Sequence, residues 1–225
     1  MGARGESGGE QQVPAASVEG HLAVVARAPR QTRGQARVDV ILDAAARVIA
    51  EEGLAGVTMH GVARRAQTSI GSMYYFFPDR DSLLQALVDR HVAATREIGC
   101  VLNAVPASVW RQLSAAEAIG RLVTPYVEYL QHHADFLPLM HGRTQPEDDA
   151  DFVHTVRRVL DARLPQVEPA ARQAYATMLH SIAAGTVHMA FQIAPEGVGF
   201  FLQEIPRVMA AYLADIEGSL RGHAG

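Results

Sequence analysis

The chain has 225 residues, 48% of them hydrophobic, and can therefore bury a substantial core in one or two domains. Its single cysteine, Cys100, excludes an internal disulfide and a thiolate metal cluster within one chain, so we expect a reducing cytoplasm as its location. All 20 cationic side chains are arginine, and the net charge of −4 lies wholly in residues 100–225, because residues 1–99 hold 11 arginines and 11 acidic side chains.

The first 35 residues are rich in glycine and poor in large apolar side chains, which indicates a disordered arm at 1–35. No basic segment precedes the short apolar run 22–26, so we predict no secretory signal. Such an arm either follows DNA phosphates and enters a minor groove, or is a solvated tail. The segment 27–37 carries four arginines and no acidic residue: Arg27, Arg30, Arg33 and Arg37.

Two short helices are predicted after a first helix around 38–49 that Gly53 ends. Thr58 caps the first of them, and Ser69 caps the second after an interruption at Gln67 and Thr68. We expect Met73 to point into the core, whereas the other face of the second helix is small and nearly uncharged. A helix that enters the major groove of DNA needs such a face. The sequence therefore predicts a helix-turn-helix at 57–76.

An aromatic cluster, residues 74–77, ends the second short helix before Pro78. Its tyrosine hydroxyls suit phosphate oxygens, and Phe77 suits locking the two helices together. Arg80 would lie in the first turn of the next helix, where the helix dipole and the guanidinium both favour a phosphate. Ile70 either contacts a thymine methyl group or packs back onto the domain. The predicted DNA-binding residues are Thr58, Ser69, Ile70, Gly71, Ser72, Tyr74, Tyr75 and Arg80.

The stretch 37–96 resembles the TetR-type transcriptional regulators. The matching positions are Glu52-Gly53, Thr58, Val62-Ala63, Ala66, Ser69, Gly71, Met73-Tyr74, Phe77, Arg80 and Leu83. Gln67 departs from the pattern, because the family often has glycine there. Either a positive φ strains this turn by about 1 kcal/mol, or the turn has another geometry. The resemblance implies an all-α fold, with a three-helix DNA-binding domain at 36–82 and a larger helical ligand-binding and dimerisation domain at 83–225.

The apolar pattern after Pro78 predicts that the remainder of the chain is helical. An apolar stripe after Pro78 predicts a long helix that links the DNA-binding part to the rest. Residues 173–195 contain no Asp, Glu, Lys or Arg, but their many polar side chains favour burial between helices over a membrane span. Further helices are predicted near 114–132, 134–143, 148–163, 169–194 and 200–218.

The last helix carries an apolar stripe wider than one small domain needs. Together with the helix before it, this stripe would form a four-helix dimer interface, which is also where the resemblance places it; the alternative is monomeric core. A dimer would read a palindromic operator through two half-sites about 34 to 36 Å apart. The predicted interface residues are Tyr175, Ile182, Met189, Phe201, Ile205, Val208, Met209, Tyr212 and Ile216.

The resemblance also implies a pocket for a small-molecule effector between the linking helix and the dimer helices. Arg143 either pairs with an anionic ligand or is solvated. The ten histidines lack metal-ligand spacing, so we expect no metal and no cofactor. The predicted pocket residues are Trp110, Tyr126, Phe136, Met140, His141, Arg143, Phe152, Met178 and His180.

These patterns predict a ligand-responsive, sequence-specific DNA-binding transcriptional regulator, by default a repressor released by its effector. Its partners would be duplex DNA, a second copy of the chain and a small molecule, with no membrane. No serine, cysteine or carboxylate stands in a recognisable catalytic motif, so we predict no enzyme. A DNA-free interaction module would retain the apolar stripe but would show no salt-dependent binding to duplex DNA.

Overall fold

The computed structural model describes residues 30–141 and 146–222, and within them every regular element is helical. The α-helices are α1 (Arg30–Glu52), α2 (Met59–Arg65), α3 (Ile70–Phe76), α4 (Arg80–Asn103), α5 (Ala107–Gln112), α6 (Ala115–His132), α7 (Phe136–Met140), α8 (Pro146–Arg163), α9 (Pro169–Ile193) and α10 (Val198–Gly222). Short 3₁₀ turns at Leu54–Gly56 and Pro195–Gly197 precede α2 and α10.

Helix α1 is longer than the apolar pattern predicted. It begins at Arg30, so residues 30–35 of the expected arm are helical, while residues 1–29 lie outside the described part of the chain. Gly53 follows its last residue with a φ of 71°, a conformation that glycine adopts without steric cost. The predicted stop of this helix is thus confirmed, and the chain turns there toward α2.

The first core joins α1 to α4 and includes two residues of α7. Met73 is fully buried in it, as predicted, and Phe77 is nearly so. Leu84 and Leu87 of α4 are also fully buried there, which fixes the start of the linking helix to the three helices before it. A buried aromatic or leucine side chain contributes about 1.5 to 3 kcal/mol. The burial of Met73 and Phe77 therefore sets the orientation of α3.

The second core holds α5, α6, α8, α9 and α10 together with the C-terminal half of α4. Helix α10 packs on α6 and α9, and α8 packs on α9 and α4. Helix α5 was not predicted, because six residues offer too few turns for a periodic pattern. Pro206 lies inside α10, which begins at Val198, so this proline does not start the last helix.

The predicted helix 169–194 is present as α9. None of the described helices is long and apolar enough to cross a membrane. Ala176 and Leu179 of α9 are buried in the second core, and Ala190 is buried as well. The uncharged stretch from residue 173 to the end of this helix therefore has one face in the protein interior and another at the protein surface.

Candidate DNA-binding surface and ligand cavity

The two short helices begin at the predicted caps. The Thr58 hydroxyl accepts a hydrogen bond from the Gly61 amide, and the Ser69 hydroxyl accepts one from the Ser72 amide, both at 3.1 Å. Each bond satisfies an amide that a helix start leaves without a partner, and such a cap stabilises a helix by about 1 kcal/mol. Thr58 and Ser69 thus position α2 and α3, whatever contact their hydroxyl protons make with DNA.

The turn between α2 and α3 has the strained geometry. Gln67 has a φ of 50°, the left-handed region that disfavours residues with a Cβ atom. The next amide, of Thr68, donates to the Ala63 carbonyl at 3.0 Å, which closes α2 in the manner of a helix C-terminal motif. The open question about this turn is therefore answered: Gln67 takes the conformation that glycine takes more easily.

The outer face of α3 is apolar, uncharged and accessible. Tyr75 is 81% exposed, Tyr74 45% and Ile70 37%, whereas Met73 on the opposite face has no exposure. A Cβ atom added at Gly71 would meet no other atom within 4 Å. Ser72 is half-buried. Because Ile70 keeps a third of its surface in solvent, it does not pack fully back onto the domain.

Arg80 does not stand free at the start of α4. Its Nε donates to the Val57 carbonyl at 3.0 Å, and one of its terminal nitrogens donates to the Leu54 carbonyl at 2.6 Å. Both acceptors belong to the loop between α1 and α2, and the guanidinium is partly buried against it. This side chain ties the start of the linking helix α4 to the loop before α2, and its contact with a phosphate stays a prediction.

Asp79 caps the N-terminus of α4. Its carboxylate accepts from the Ser82 amide at 2.7 Å, and the Ser82 hydroxyl lies 3.3 Å from the Asp79 amide, so the pair forms a capping box. These hydrogen bonds lower the pKa of the exposed Asp79 carboxyl. The long helix thus has its N-terminus fixed locally as well as through Arg80.

A cavity of about 260 Å³ lies among α4, α6, α7, α8, α9 and α10. Six of the predicted pocket residues line it: Tyr126, Phe136, Met140, His141, Phe152 and His180. Further lining residues that the sequence did not single out include Thr95, Leu130, Val187, His188 and Phe191. They were missed because they share apolar helix faces with ordinary core residues.

Two predicted pocket residues, Trp110 and Met178, do not belong to this wall. Trp110 is buried in the second core, with the Arg121 guanidinium 5.8 Å from its ring centre. Met178 is half exposed on α9 and points away from the cavity, since helix periodicity puts it on the solvent side of that helix. Arg143 lies outside the described residues.

Two polar side chains of the cavity wall, His141 and His188, lie next to each other. The rings of His141 and His188 stack at 4.6 Å, and the Gln192 amide nitrogen lies 3.4 and 3.1 Å from their Nε2 atoms. Tyr126 packs edge-on against Phe152 at 4.9 Å, and burial raises its pKa to about 12. The Tyr126 hydroxyl is hydrogen-bonded to the Thr155 side chain.

Helix α7 lines the cavity and also packs into the first core. Phe136, Leu137 and Met140 line the cavity, while Leu139 and Met140 are buried in the first core. A change in the shape of this wall would therefore alter the packing of the first core, in which Met73 of α3 is buried. Neither the short pattern of α7 nor its proline predicted this double role.

A buried polar cluster attaches α7 to α4. His91, with no exposure, contacts the Asp135 carboxylate through Nε2 at 2.9 Å and the Tyr129 hydroxyl through Nδ1 at 2.6 Å. Burial alone would raise the pKa of Asp135, but the hydrogen bond and the attraction of His91 outweigh it and the pKa is lowered. His91 was missed as functional; a lone histidine in the apolar stripe of the linking helix was the signal available.

The predicted interface residues divide into three groups. Ile205, Met209 and Ile216 are buried in the second core of the same chain, which corrects their assignment to a dimer surface. Tyr175, Ile182, Phe201 and Tyr212 are half-buried, and Met189 and Val208 are exposed. Three further exposed apolar side chains on or beside the same helices were not assigned to the interface: Met178, Ile193 and Phe200.

The exposed face of α9 combines methionine with very small residues. Ala174 and Gly185 are exposed on it beside Met178 and Met189, and none of these carries a charge. A Cβ atom at Gly185 would meet nothing within 4 Å. Small residues let a second helix approach closely, and monomeric proteins seldom expose a large contiguous apolar patch.

The histidines form no metal site within the described ranges, where no group of three or more His, Cys, Asp or Glu side chains is placed to hold an ion. The Nδ1 atoms of His132 and His133 lie 2.6 and 2.8 Å from the carbonyls of Glu128 and Tyr129. These rings are therefore used within their own helix end.

Two family models match the chain. The model for bacterial regulatory proteins of the tetR family matches residues 41–87, and the model for the tetracyclin repressor-like C-terminal domain matches residues 114–213. The HTH-type transcriptional regulator BetI of Burkholderia ambifaria is 40% identical over 81 residues, and that of Burkholderia thailandensis 38%. The match spans 34% of this chain and 41% of each of these relatives, so it covers about two fifths of their length.

Solved structures share the fold along most of the chain. A TetR-family transcriptional regulator from Streptomyces coelicolor covers 82% of this chain and 99% of its own, at 24% identity and a TM-score of 0.58. SmeT, described as the repressor of the Stenotrophomonas maltophilia multidrug efflux pump SmeDEF, covers 80% of this chain and 91% of its own, at 19% identity and a TM-score of 0.59. At these identities the likeness concerns the helical architecture, with a helix-turn-helix domain before a larger helical domain.

Proposed function

Since the chain belongs to the TetR family, whose members are DNA-binding transcriptional regulators and not enzymes, we propose that it represses transcription from a palindromic operator and is released by a small molecule. It would act in the cytoplasm, as a homodimer. One observation carries the proposal: the uncharged outer face of α3, with Tyr75 81% exposed, stands on a helix whose ends are fixed by a cap and a buried core. A face that is accessible yet rigid suits reading of base edges.

The roles of the α3 side chains follow from their exposure. Ile70, Gly71, Ser72 and Tyr75 are the proposed base readers, and the Tyr74 hydroxyl is proposed to donate to a phosphate. Thr58 and Ser69 lie at helix starts, where their hydroxyls would add phosphate contacts to their capping role. The N-terminal arginines would also contact DNA in this proposal: Arg27, Arg30 and the exposed Arg33 and Arg37.

Dimerisation is proposed through α9 and α10. The support is the uncharged face of α9, together with exposed Phe200 and Val208 on α10. A single seven-residue helix contacts few base pairs, so a useful preference for one operator requires two copies on one DNA face. The palindrome would mirror the two-fold axis of the protein.

Effector release is proposed to act through α7 and α4. An effector in the cavity would press on Phe136 or Met140. Met140 is also buried in the first core, which holds Met73 of α3. The family switch requires only that the effector binds better to a dimer whose α3 helices are wrongly spaced for DNA. A coupling of about 1 to 3 kcal/mol would lower operator affinity roughly 5- to 150-fold.

The test is selection of genomic fragments in vitro by the purified full-length protein. We expect enrichment of one palindromic sequence, with binding that weakens as salt rises. Tyr75→Ala should reduce affinity for that palindrome more than affinity for unrelated DNA, whereas Val101→Ala, an exposed apolar residue on α4, should change neither. Absence of any enriched sequence would refute the proposed function.

A further inference from the structure

We infer that the effector is an uncharged, largely apolar molecule of compact size that presents one hydrogen-bonding group to the His141–His188 pair. The inference rests on the proposed function only in calling this molecule the effector, since the cavity and its chemistry are described independently of DNA. It concerns the cavity among α4, α6, α7, α8, α9 and α10.

The first argument for an uncharged effector comes from the charge of the cavity wall. No Asp, Glu, Lys or Arg is among the described residues that line it, and most of its wall consists of apolar side chains such as Leu130, Val187 and Phe191. An ion that leaves water for such a wall loses its hydration and gains no opposite charge, which costs several kcal/mol. An uncharged molecule carries no such penalty, and apolar surface buried there is favourable.

The arrangement of the rings argues against a cage for a cation. Aromatic cages hold quaternary ammonium groups against several ring faces. Here Tyr126 and Phe152 pack edge to face on each other at 4.9 Å, so these rings are used in mutual packing. With a volume of about 260 Å³, the cavity suits a molecule of about two rings, near the small end of ligand sites.

The position of the hydrogen-bonding group follows from His141, His188 and Gln192. The Gln192 amide nitrogen lies between the two Nε2 atoms, at 3.4 and 3.1 Å, so with both rings neutral it donates to both. Each ring then carries its proton on Nδ1, and these donors suit a hydroxyl or carbonyl oxygen. Both histidines line the cavity.

The experiment compares three molecules of one skeleton: 2-naphthol, 2-naphthoate and (2-naphthyl)trimethylammonium. Their dissociation constants for the purified full-length protein are measured by calorimetry at pH 7.5. We expect 2-naphthol to bind at least tenfold more tightly than either ion. Equal or tighter binding of the carboxylate or the ammonium, or no binding of 2-naphthol, would overturn the inference.

Two variants locate the site. Ala183→Leu narrows the cavity wall, and Ala116→Leu adds the same side chain at an exposed position of α6 outside the cavity. The first should weaken 2-naphthol binding at least tenfold and the second should leave it unchanged; the reverse pattern would place the site elsewhere and refute the inference. A thermal unfolding scan of each variant without ligand confirms that it is folded.

The hydrogen-bonding part is tested with His188→Leu and with naphthalene, which lacks the hydroxyl. One hydrogen bond corresponds to about 3- to 10-fold in affinity. We expect this loss for 2-naphthol and none for naphthalene, and an equal effect on both would refute the role of the histidine pair. Binding of the selected palindrome is measured in parallel, so a protein that binds 2-naphthol but no DNA would fail as a regulator while the cavity inference stands.

Discussion

Replacing Arg80 separates a structural role from a phosphate contact. In Arg80→Ala, the Leu54 and Val57 carbonyls lose their donors. A hydrogen bond to a charged group contributes about 1.5 to 3 kcal/mol, and water replaces part of it at a partly buried site, so we expect the free energy of unfolding to fall by about 2 to 4 kcal/mol. Arg80→Lys, which lacks the planar fork that reaches both acceptors, should lose about half as much.

The salt dependence of DNA binding provides the decisive assay. Each phosphate contact adds about 0.9 to the slope of log affinity against log salt, so loss of one contact per protomer would lower the slope of a dimer by roughly 1.8. Because the Arg80 guanidinium is occupied within the protein, we expect Arg80→Ala to leave the slope unchanged under conditions where the variant is folded. Binding is followed by fluorescence anisotropy of a labelled operator duplex.

Arg64→Ala is the matched control, because Arg64 is an exposed arginine of α2 in the same domain. Its removal should alter the free energy of unfolding by less than about 0.5 kcal/mol. The reasoning about Arg80 would be refuted by a slope that falls by roughly 1.8 in Arg80→Ala while urea denaturation shows wild-type stability. That result would mean that the guanidinium leaves the loop to hold DNA.

Three further predictions concern the turn, the buried cluster and the dimer face. Gln67→Gly should raise the free energy of unfolding by about 0.5 to 1 kcal/mol, because relief of the left-handed backbone exceeds the added entropy of an unfolded glycine; urea denaturation would contradict this if Gln67→Ala gained as much. Asp135→Ala should lower the free energy of unfolding by about 3 to 5 kcal/mol at pH 7, because it leaves His91 buried without its partner. Since the pKa of Asp135 is lowered in the folded state, its contribution is complete above the unfolded value of about 3.9 and is lost as pH falls further; a difference between variant and wild type that stays constant from pH 7 to pH 3 would disprove the ion pair. Met178→Glu with Met189→Glu should give folded monomers at micromolar concentration by sedimentation velocity, whereas Val101→Glu should leave dimers; persistent dimers in the double variant would remove α9 from the interface.

Features that depend on neighbouring residues could be predicted from the sequence. Thr58 and Ser69 cap helices because a hydroxyl reaches an amide three residues away, and Met73 is buried because helical spacing sets its face. The role of Arg80 could not be predicted, since its acceptors lie 23 and 26 residues earlier in the chain. A rule based on neighbouring residues predicted a phosphate contact for Arg80. In the structure its guanidinium donates to two carbonyls of the loop before α2.

Apolar stripes presented a different difficulty. Met209 and Met189 are both apolar residues at helical spacing, yet the first is fully buried and the second is half exposed. Helical periodicity identifies a face, but it does not say whether the chain itself or a second copy covers it. His91 was missed for the related reason that its carboxylate partner, Asp135, is 44 residues away and its own helix places no acidic residue three or four positions from it.

The shared wall at α7 divides the cavity into parts that tolerate mutation differently. Substitution of Met140 alters the ligand space and the packing beneath α3 together, so a gain for a new ligand there carries a loss of fitness through weakened operator binding. On the opposite wall, Ala184 and His188 lie in α9 and are absent from the first core, so variation there is not subject to that conflict. Natural selection for new effectors should therefore act through the α9 wall, and descendants of this protein that respond to different molecules should keep α7 nearly unchanged.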